Sequence, residues 1–212
     1  MSLIKAIGRA TALCLWSYFF TAVAFGDGSP AQASELARHF DAKVMNGELV
    51  GWEQRRLVHL KAGTNEMAFA VPHGLRVEVA EDRITLTAAD AAFFVNFRIR
   101  VEVVTAEKEM EGEIARQRLL RQYAGAKIVD EYQAAALERT GHAYEMRWTP
   151  ASATERLLRV ARIPTAAGTL ELTMVAEPGT SADGTFAFNS ILTTLCKAHD
   201  GKFEVARATG SS

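Results

Sequence analysis

The stretch from Ala92 to Val104, AFFVNFRIRVEVV, decides the fold. One side of it carries apolar residues at a spacing of two: Phe93, Val95, Phe97, Ile99, Val101 and Val103. The other side carries Phe94 and then polar residues: Asn96, Arg98, Arg100 and Glu102. Successive side chains of a strand point to opposite faces, so this alternation predicts a long β-strand with one buried face.

Shorter strands are predicted on both sides of this long strand. Before it come a first strand, a short apolar run and a hairpin: Arg56 to Leu60, Met67 to Val71, Arg76 to Val79 and Arg83 to Thr87. After it come four more strand-like segments: Lys127 to Tyr132, Ala143 to Trp148, Arg156 to Ile163 and Thr169 to Ala176. Gly141, Pro150 and Gly168 separate these four, and the spacing suits an antiparallel meander.

Two segments change to a helical period. Between Glu107 and Tyr123 four residues share one side of a helix: Ala115, Leu119, Leu120 and Tyr123. Met110 and Ile114 lie off that side, and Gly125 suits the left-handed position after the helix. A second helix is predicted from about Gly184 to Cys196, with the cysteine as a small buried residue on its rim. Ser34 to Asn46 has two interpretations, a short helix or a loose lead-in. The elements together predict an α+β fold, an antiparallel sheet flanked by helices.

The amino terminus has the three zones of an export signal. Lys5 and Arg9 precede an uncharged apolar run from Ala10 to Phe25, which is short for a spanning helix of roughly 20 residues. Small residues favour cleavage after Ala33, with Ala24 as the alternative cut and a retained anchor as the other interpretation. The sequence therefore predicts an exported protein, periplasmic or secreted, with no integral membrane span in its mature chain.

Cleavage would divide the chain into a signal, a lead-in, one domain and a disordered tail, at residues 1–33, 34–54, 55–197 and 198–212. It would also remove Cys14, so that Cys196 is the remaining thiol and no internal disulfide forms. Hydrophobic residues make up 49% of the chain, which is enough for a core without such a crosslink.

The composition and motifs argue against several function classes. The 24 basic and 25 acidic side chains balance, whereas a duplex-binding protein carries a basic excess or stripe. No HExxH or CxxC motif is present, so we expect no metal or cofactor. His59 and His73 flank one short strand region, and we interpret them as a strand and a turn histidine rather than two ligands. No convergent catalytic set is visible, and a hydrolase using Cys196 or Ser190 is the least favoured hypothesis.

The order of segments resembles the PsbP-like superfamily, of PsbP and DcrB type, over roughly Leu57 to Cys196. The resemblance rests on a short strand ending in Pro-X-Gly (Met67 to Gly74), a hairpin, the long strand, a charged helix, and a meander closed by Phe188 to Leu192. It implies an α/β/α sandwich and a non-enzymatic role in binding or assembling other proteins. No catalytic residue of the family can be carried over, and a fold alone does not fix a function.

The polar side of the long strand is the candidate site. Asn96, Arg98 and Arg100 suit an anion or a protein partner, because arginine forks bind carboxylates and phosphates. If the meander pairs beside the strand, more charged residues join the same side: Glu145, Arg147, Arg159 or Arg162, and Glu171. The competing interpretation is a set of cross-strand ion pairs on a solvated face.

Two tryptophans complete the candidates. Trp52, before the first strand, is a possible interface anchor, because aromatic residues are enriched at binding hot spots. Trp148 is predicted to lie in the core by alternation. The leading hypothesis is an exported, non-catalytic binding or assembly factor for another exported protein, and the alternative is a small-molecule or lipid carrier with a pocket between sheet and helices.

Overall fold

The computed structural model describes residues 36–37, 40–50, 53–101, 112–150, 154–166, 168–199 and 202–203. The predicted export signal with its cut sites, Cys14 and Trp52 lie outside these residues and stay predictions. Neither α-helix of the described part, of 11 and 14 residues, has the length and apolar character of a membrane-crossing segment.

The described elements follow one another in a simple order. Before the first helix come β1 (Leu36–Ala37), β2 (Asp41–Val50), β3 (Glu53–Ala62), β4 (Asn65–Ala70), β5 (Arg76–Val79), β6 (Ile84–Thr87) and β7 (Phe93–Val101). Then come α1 (Gly112–Gln122) and the meander β8 (Lys127–Ala136), β9 (Arg139–Trp148), β10 (Arg156–Thr165) and β11 (Gly168–Ala176). A 3₁₀ turn (Pro178–Thr180) leads to α2 (Ser181–Thr194), β12 (Cys196–His199) and β13 (Lys202–Phe203).

The strands form two antiparallel sheets. The larger has the order β5-β6-β7-β11-β10-β9-β8, with β1 also paired to β7, and the smaller has the order β13-β12-β4-β3-β2. The predicted meander is confirmed, and its last strand lies beside the long strand β7. The α+β class with antiparallel strands is therefore confirmed, while the second sheet was not predicted.

The long strand β7 separates two hydrophobic clusters. Its apolar side chains Phe93, Val95, Phe97 and Ile99 are buried, as the alternation predicts. On this face the ring of Phe97 stacks on Phe69 of β4 at 5.3 Å, and α2 contacts β11, β4 and β7. This face therefore holds the main core, between the two sheets and α2.

The opposite face of the large sheet is covered in part by α1. Leu119 of this helix and Tyr123, directly after it, pack in a smaller cluster with residues of β9, β10 and β11. Trp148 packs against that cluster, with its ring edge to face with Tyr123 at 5.5 Å. It was predicted to lie in the core, and it is half-buried at the border of this cluster. Gly125, at φ 82°, follows the helix as predicted. A helix thus lies on each face of the large sheet.

The prediction of a helix or loose lead-in over Ser34 to Asn46 is wrong for the described residues. Residues 36–37 pair with β7, and β2 begins at Asp41 and pairs with β3 over its length. The backbone of Phe40, between them, donates a 3.2 Å hydrogen bond to the carbonyl of Glu81. Cross-strand pairing satisfies the backbone groups here, and this overrides the weak helical pattern.

The last helix ends before Cys196, two residues earlier than predicted. Leu195 turns to an extended conformation, and Cys196 begins β12, which pairs with β4 at Ala68. The predicted disordered tail is also wrong at 198–199 and 202–203, which lie in β12 and β13. An edge strand such as β4 offers unpaired backbone groups, and β12 satisfies them. The boundaries of the predicted domain otherwise stay predictions.

Candidate functional site

The polar face of the large sheet brings three arginines to one glutamate. In the strand register, Arg98 of β7 lies opposite Glu171 of β11, which lies opposite Arg162 of β10. Residues directly opposite one another share a face, and Arg100 lies two residues along the same face of β7. We call Arg98, Arg100, Arg162 and Glu171 the arginine cluster. The predicted grouping of Arg98 and Arg100 with Arg162 and Glu171 is confirmed as a placement.

Glu171 is the buried centre of the arginine cluster. Arg100 donates from Nη2 to its Oε1 at 3.1 Å, and Arg162 Nε lies 3.3 Å from its Oε2. The second contact is an ion pair without the geometry of a hydrogen bond. The side chains of Arg100, Arg162 and Glu171 are 15%, 10% and 3% exposed. One carboxylate therefore receives a cation at each of its oxygens in a poorly solvated place.

Arg98 adds a third guanidinium to the same face of the sheet, opposite Glu171 in the strand register. Its Nε is buried, and no hydrogen-bond partner for it occurs in the described part of the chain. The next residue across the sheet from Arg162 is His142, whose Nδ1 lies 4.0 Å from the carboxylate of Glu131 on β8. The arginine cluster itself thus has two more positive than negative charges. Such a place favours an additional anionic group.

Tyr123, the residue after α1, lies at the border of the arginine cluster. Burial raises the pKa of Tyr123 to about 12, and the negative charge of Glu171 adds to the rise. A hydrogen bond with Thr173 and the charges of Arg100 and Arg98 act in the opposite direction. Gln122 donates to the phenol oxygen at 3.2 Å. The phenol therefore stays neutral at physiological pH and can donate a hydrogen bond.

Asn96 lies on the same face but is engaged by the neighbouring hairpin. Thr85 of β6, which lies opposite Asn96, donates from its hydroxyl to Asn96 Oδ1 at 2.8 Å. The side-chain amide nitrogen of Asn96 is a donor at the edge of the site. Asn96 therefore belongs to the polar face, next to Arg98 but outside the ion pairs.

Glu145 and Arg147 do not lie with the arginine cluster, so their predicted placement is wrong. Of the alternatives Arg159 and Arg162, Arg162 joins the arginine cluster. Arg159 lies opposite Met174 on one side and Glu145 on the other, which puts both charged residues on the core-facing side of the sheet. Arg159 Nε donates to Glu145 at 2.8 Å there. Arg147 shares that side and pairs with the exposed Glu155 at 3.5 Å. Successive residues of a strand point to opposite faces, and Arg159 lies an odd number of residues from Arg162 along β10. The arginine cluster and the Arg159–Glu145 pair therefore lie on opposite faces of the sheet.

His59 and His73 occupy a strand and a turn, as interpreted from the sequence. His59 Nε2 lies 3.4 Å from Glu66 of β4, which also takes Lys61 Nζ at 3.2 Å. The hydrogen bond from Lys61 is the largest cause of a lowered pKa of Glu66. His73 lies in the turn after β4. Within the described ranges, no group of three histidine, cysteine or acidic side chains could hold a metal ion.

The two candidate nucleophiles have structural surroundings. Cys196 is half-buried, its Sγ lies 3.6 Å from the carbonyl of Ala68, and burial raises the pKa of its thiol. A raised pKa lowers the thiolate fraction, which disfavours nucleophilic attack. Ser190 lies on α2, where its backbone carbonyl accepts a hydrogen bond from Thr194. Neither contact supplies a base to these side chains.

A cleft that the sequence patterns do not predict lies at the turns of the molecule. Its volume is about 310 Å³, and it lies between the β3–β4, β8–β9 and β10–β11 turns and β12. The predicted carrier would need a pocket between the large sheet and the helices, whereas this cleft lies at the strand ends and opens to solvent. Only the contact of turns from both sheets makes it, so no local pattern could have predicted it.

No family model and no curated protein matches the chain. Twelve chains of solved structures are similar to it, among them a cyanobacterial PsbP and a yeast Ran-binding protein. The solution structure of cyanobacterial PsbP (CyanoP) from Synechocystis sp. PCC 6803 has a TM-score of 0.47 at 10% identity, covering 72% of this chain and 98% of that one. The Synechocystis protein is itself a PsbP, the type of protein that the order of segments resembles.

The second similar structure is that of the Saccharomyces cerevisiae Ran-binding protein Mog1p. It has a TM-score of 0.45 at 12% identity and covers 70% of this chain and 96% of that one. Identities this low and TM-scores below 0.5 concern the PsbP-like fold alone. They carry no argument about the ligand or partner of this chain.

Proposed function

We propose that this chain is an exported, non-catalytic binding or assembly factor that uses its arginine cluster to hold an acidic group of another exported protein. The observation that carries the proposal is the imbalance of charge on the polar face. Two guanidinium groups contact the one carboxylate of Glu171, and Arg98 lies opposite it in the strand register. Arg98 Nε is buried without a hydrogen-bond partner among the described residues.

The chemistry of the arginine side chain supports a carboxylate as the group that is held. Arg100 and Arg162 already meet the two oxygens of Glu171, so the charge of Arg98 is left to an added anion. A guanidinium is planar and presents paired donors that match both oxygens of a carboxylate. Partial burial strengthens this attraction relative to a pair in bulk water. An aspartate, a glutamate or a terminal carboxylate of the partner fits this description.

The surroundings of the possible nucleophiles support a non-catalytic role. Cys196 is held as a thiol by its raised pKa and lies against a backbone carbonyl rather than a base. A hydrolase needs a nucleophile within hydrogen-bond reach of a base. If the mature protein cleaved esters or peptides, and Cys196→Ala or Ser190→Ala abolished that activity, the non-catalytic part of the proposal would be wrong.

A crosslinking pull-down with the intact protein from the exported fraction of producing cells tests the binding. The variant is Arg98→Gln, which leaves the contacts of Glu171 with Arg100 and Arg162 in place. The matched control is Arg147→Gln, an exposed arginine on the other face of the sheet. We expect wild type and the control to recover one stoichiometric partner, crosslinked near Arg98, and Arg98→Gln to lose it.

Equal recovery by all three proteins would contradict the proposal. The arginine cluster would then be a set of structural ion pairs. Circular dichroism and thermal unfolding of Arg98→Gln separate a loss of binding from a loss of fold. A lost partner together with a wild-type melting temperature supports the binding role.

A further inference from the structure

The cleft of about 310 Å³ has a mixed lining that is distinct from the arginine cluster. Its polar lining residues are Thr64, Asn65, Glu66, Arg139, Thr165 and Lys197. Its apolar lining residues are Met67, Leu137, Ala166 and Ala198. Ligand sites in proteins combine an apolar wall with a few polar groups, and this volume lies at the lower end of their range. The lining therefore suits a small molecule with one polar end.

The β8–β9 turn beside this cleft has an unusual backbone. Leu137 and Glu138 are its two central residues, and both have positive φ, at 55° and 59°. Two-residue hairpin turns of this kind are normally made by asparagine and glycine, because a bulky side chain is unfavourable there. The neighbouring β3–β4 turn uses Gly63, at φ 64°. The β8–β9 turn thus keeps side chains at a conformational cost.

Both side chains of that turn have a place at the cleft. Leu137 lines it and packs against the edge of the main core. Glu138 accepts a 3.0 Å hydrogen bond from Lys197 of β12, which lines the cleft. Unfavourable backbone conformations persist where the surroundings hold them, and they are found often at binding sites. A turn of asparagine and glycine would supply neither the apolar wall nor the fixed lysine.

The charges of the cleft leave one cation available. Glu138 neutralises Lys197, and Glu66 is neutralised by Lys61 at 3.2 Å and by contact with His59. No ion-pair partner of Arg139 occurs in the described part of the chain. Arg139 follows the β8–β9 turn directly and lines the cleft. An anionic head at this arginine would place an attached apolar chain beside Leu137.

We infer that this cleft binds a small organic anion, a carboxylate with a short alkyl chain. The carboxylate lies at Arg139, and the alkyl chain lies against Met67, Leu137 and Ala198. The site is separate from the arginine cluster, so it does not depend on the proposed protein partner.

Titration of the intact protein with hexanoate, followed by NMR of the methyl groups of Leu137 and Met67, tests this inference. Hexylammonium and hexanol are matched probes with the same chain and a different head. We expect saturable shifts with hexanoate, about tenfold weaker affinity in Arg139→Gln, and unchanged affinity in Arg147→Gln, a control on the same strand. Absence of saturable shifts, equal shifts with hexylammonium, or wild-type affinity of Arg139→Gln would overturn the inference.

The double variant Leu137→Asn/Glu138→Gly separates a binding role of the turn from a purely structural one. Asparagine and glycine relieve the backbone conformation, so its melting temperature should rise. We expect its affinity for hexanoate to fall several-fold, because the wall and the fixed lysine are lost. Wild-type affinity in this variant, at any melting temperature, would overturn the role of the turn in the site.

Discussion

Glu171 on β11 accepts a 3.1 Å hydrogen bond from Arg100 on β7, although only 3% of the glutamate side chain is exposed. On the other side of β11, Arg162 lies 3.3 Å from the second carboxylate oxygen. A buried carboxylate is tolerated only where neighbouring charges compensate the loss of water. The centre of the large sheet therefore depends on these ion pairs for stability, independently of any partner.

Replacing Glu171 with alanine should destabilise the protein strongly. The change leaves Arg100 and Arg162 poorly solvated without their carboxylate, which typically costs about 3–5 kcal/mol of the free energy of unfolding. Urea unfolding measures this. Glu155→Ala, which removes the partner of exposed Arg147, is the control and should cost less than about 1 kcal/mol. Similar small losses in both variants would mean that solvent reaches the arginine cluster freely.

Gly141 on β9 should not accept any side chain. A Cβ at this position would lie 2.0 Å from the carbonyl oxygen of Arg162 and 2.8 Å from Cα of Ile163. Backbone atoms cannot yield as a flexible side chain does, so Gly141→Ala should lose more than about 4 kcal/mol or fail to fold. Soluble yield and melting temperature test this against Gly179→Ala, where the added Cβ meets nothing within 4 Å. A near-native melting temperature of Gly141→Ala would contradict the close approach of β9 and β10.

The large sheet could be predicted from sequence because the alternation of apolar and polar residues is visible within its strands. Apolar and polar residues alternate strictly from Val95 to Ile99, and Pro150 and Gly168 mark the turns after β9 and β10. Gly141, which was predicted to separate two strands, lies inside β9 instead. The smaller sheet was missed in part because β2 and β12 have no comparable alternation. These two strands form by pairing to the edges of β3 and β4, which is a tertiary effect.

The members of the candidate site could be predicted only where the spacing within a single strand determines which residues share a face. Arg98 and Arg100 share a face by spacing alone, and Glu171 joins them once β11 pairs with β7. Arg147 was misplaced because the parity of β9 against β10 depends on the register that their connection sets, and a shift of one residue exchanges the faces. The cleft at Leu137 was beyond sequence reasoning, because it needs turns from two sheets to meet.

The two phenylalanines of α2 should respond oppositely to truncation. Phe188 is fully buried in the main core, whereas Phe186 on the same helix is 70% exposed. Phe188→Ala should cost about 3–5 kcal/mol through lost burial and a cavity, and Phe186→Ala should change stability by less than about 0.5 kcal/mol. Chemical unfolding of both variants tests which side of α2 faces the core. A larger loss in Phe186→Ala would contradict the packing of this helix.

Tyr123 should make the protein less stable in strong alkali. Its pKa is raised from 10.0 to about 12, mainly by burial. Between these values the unfolded chain loses the phenolic proton while the folded chain keeps it, so unfolding is favoured as pH rises. The contribution is fully present below about pH 10 and is lost towards pH 12, a change of at most about 2–3 kcal/mol.

The variant Tyr123→Phe isolates this contribution. The pKa values of Tyr132 and Tyr144 are also raised by burial, but these residues are present in both proteins. Urea unfolding from about pH 9 to about pH 12 should therefore show a steeper loss of stability in wild type than in Tyr123→Phe. The hydrogen bond from Gln122 is lost at every pH and shifts the whole curve without changing its slope. Parallel curves would show that the Tyr123 phenol is as well solvated in the folded chain as in the unfolded one.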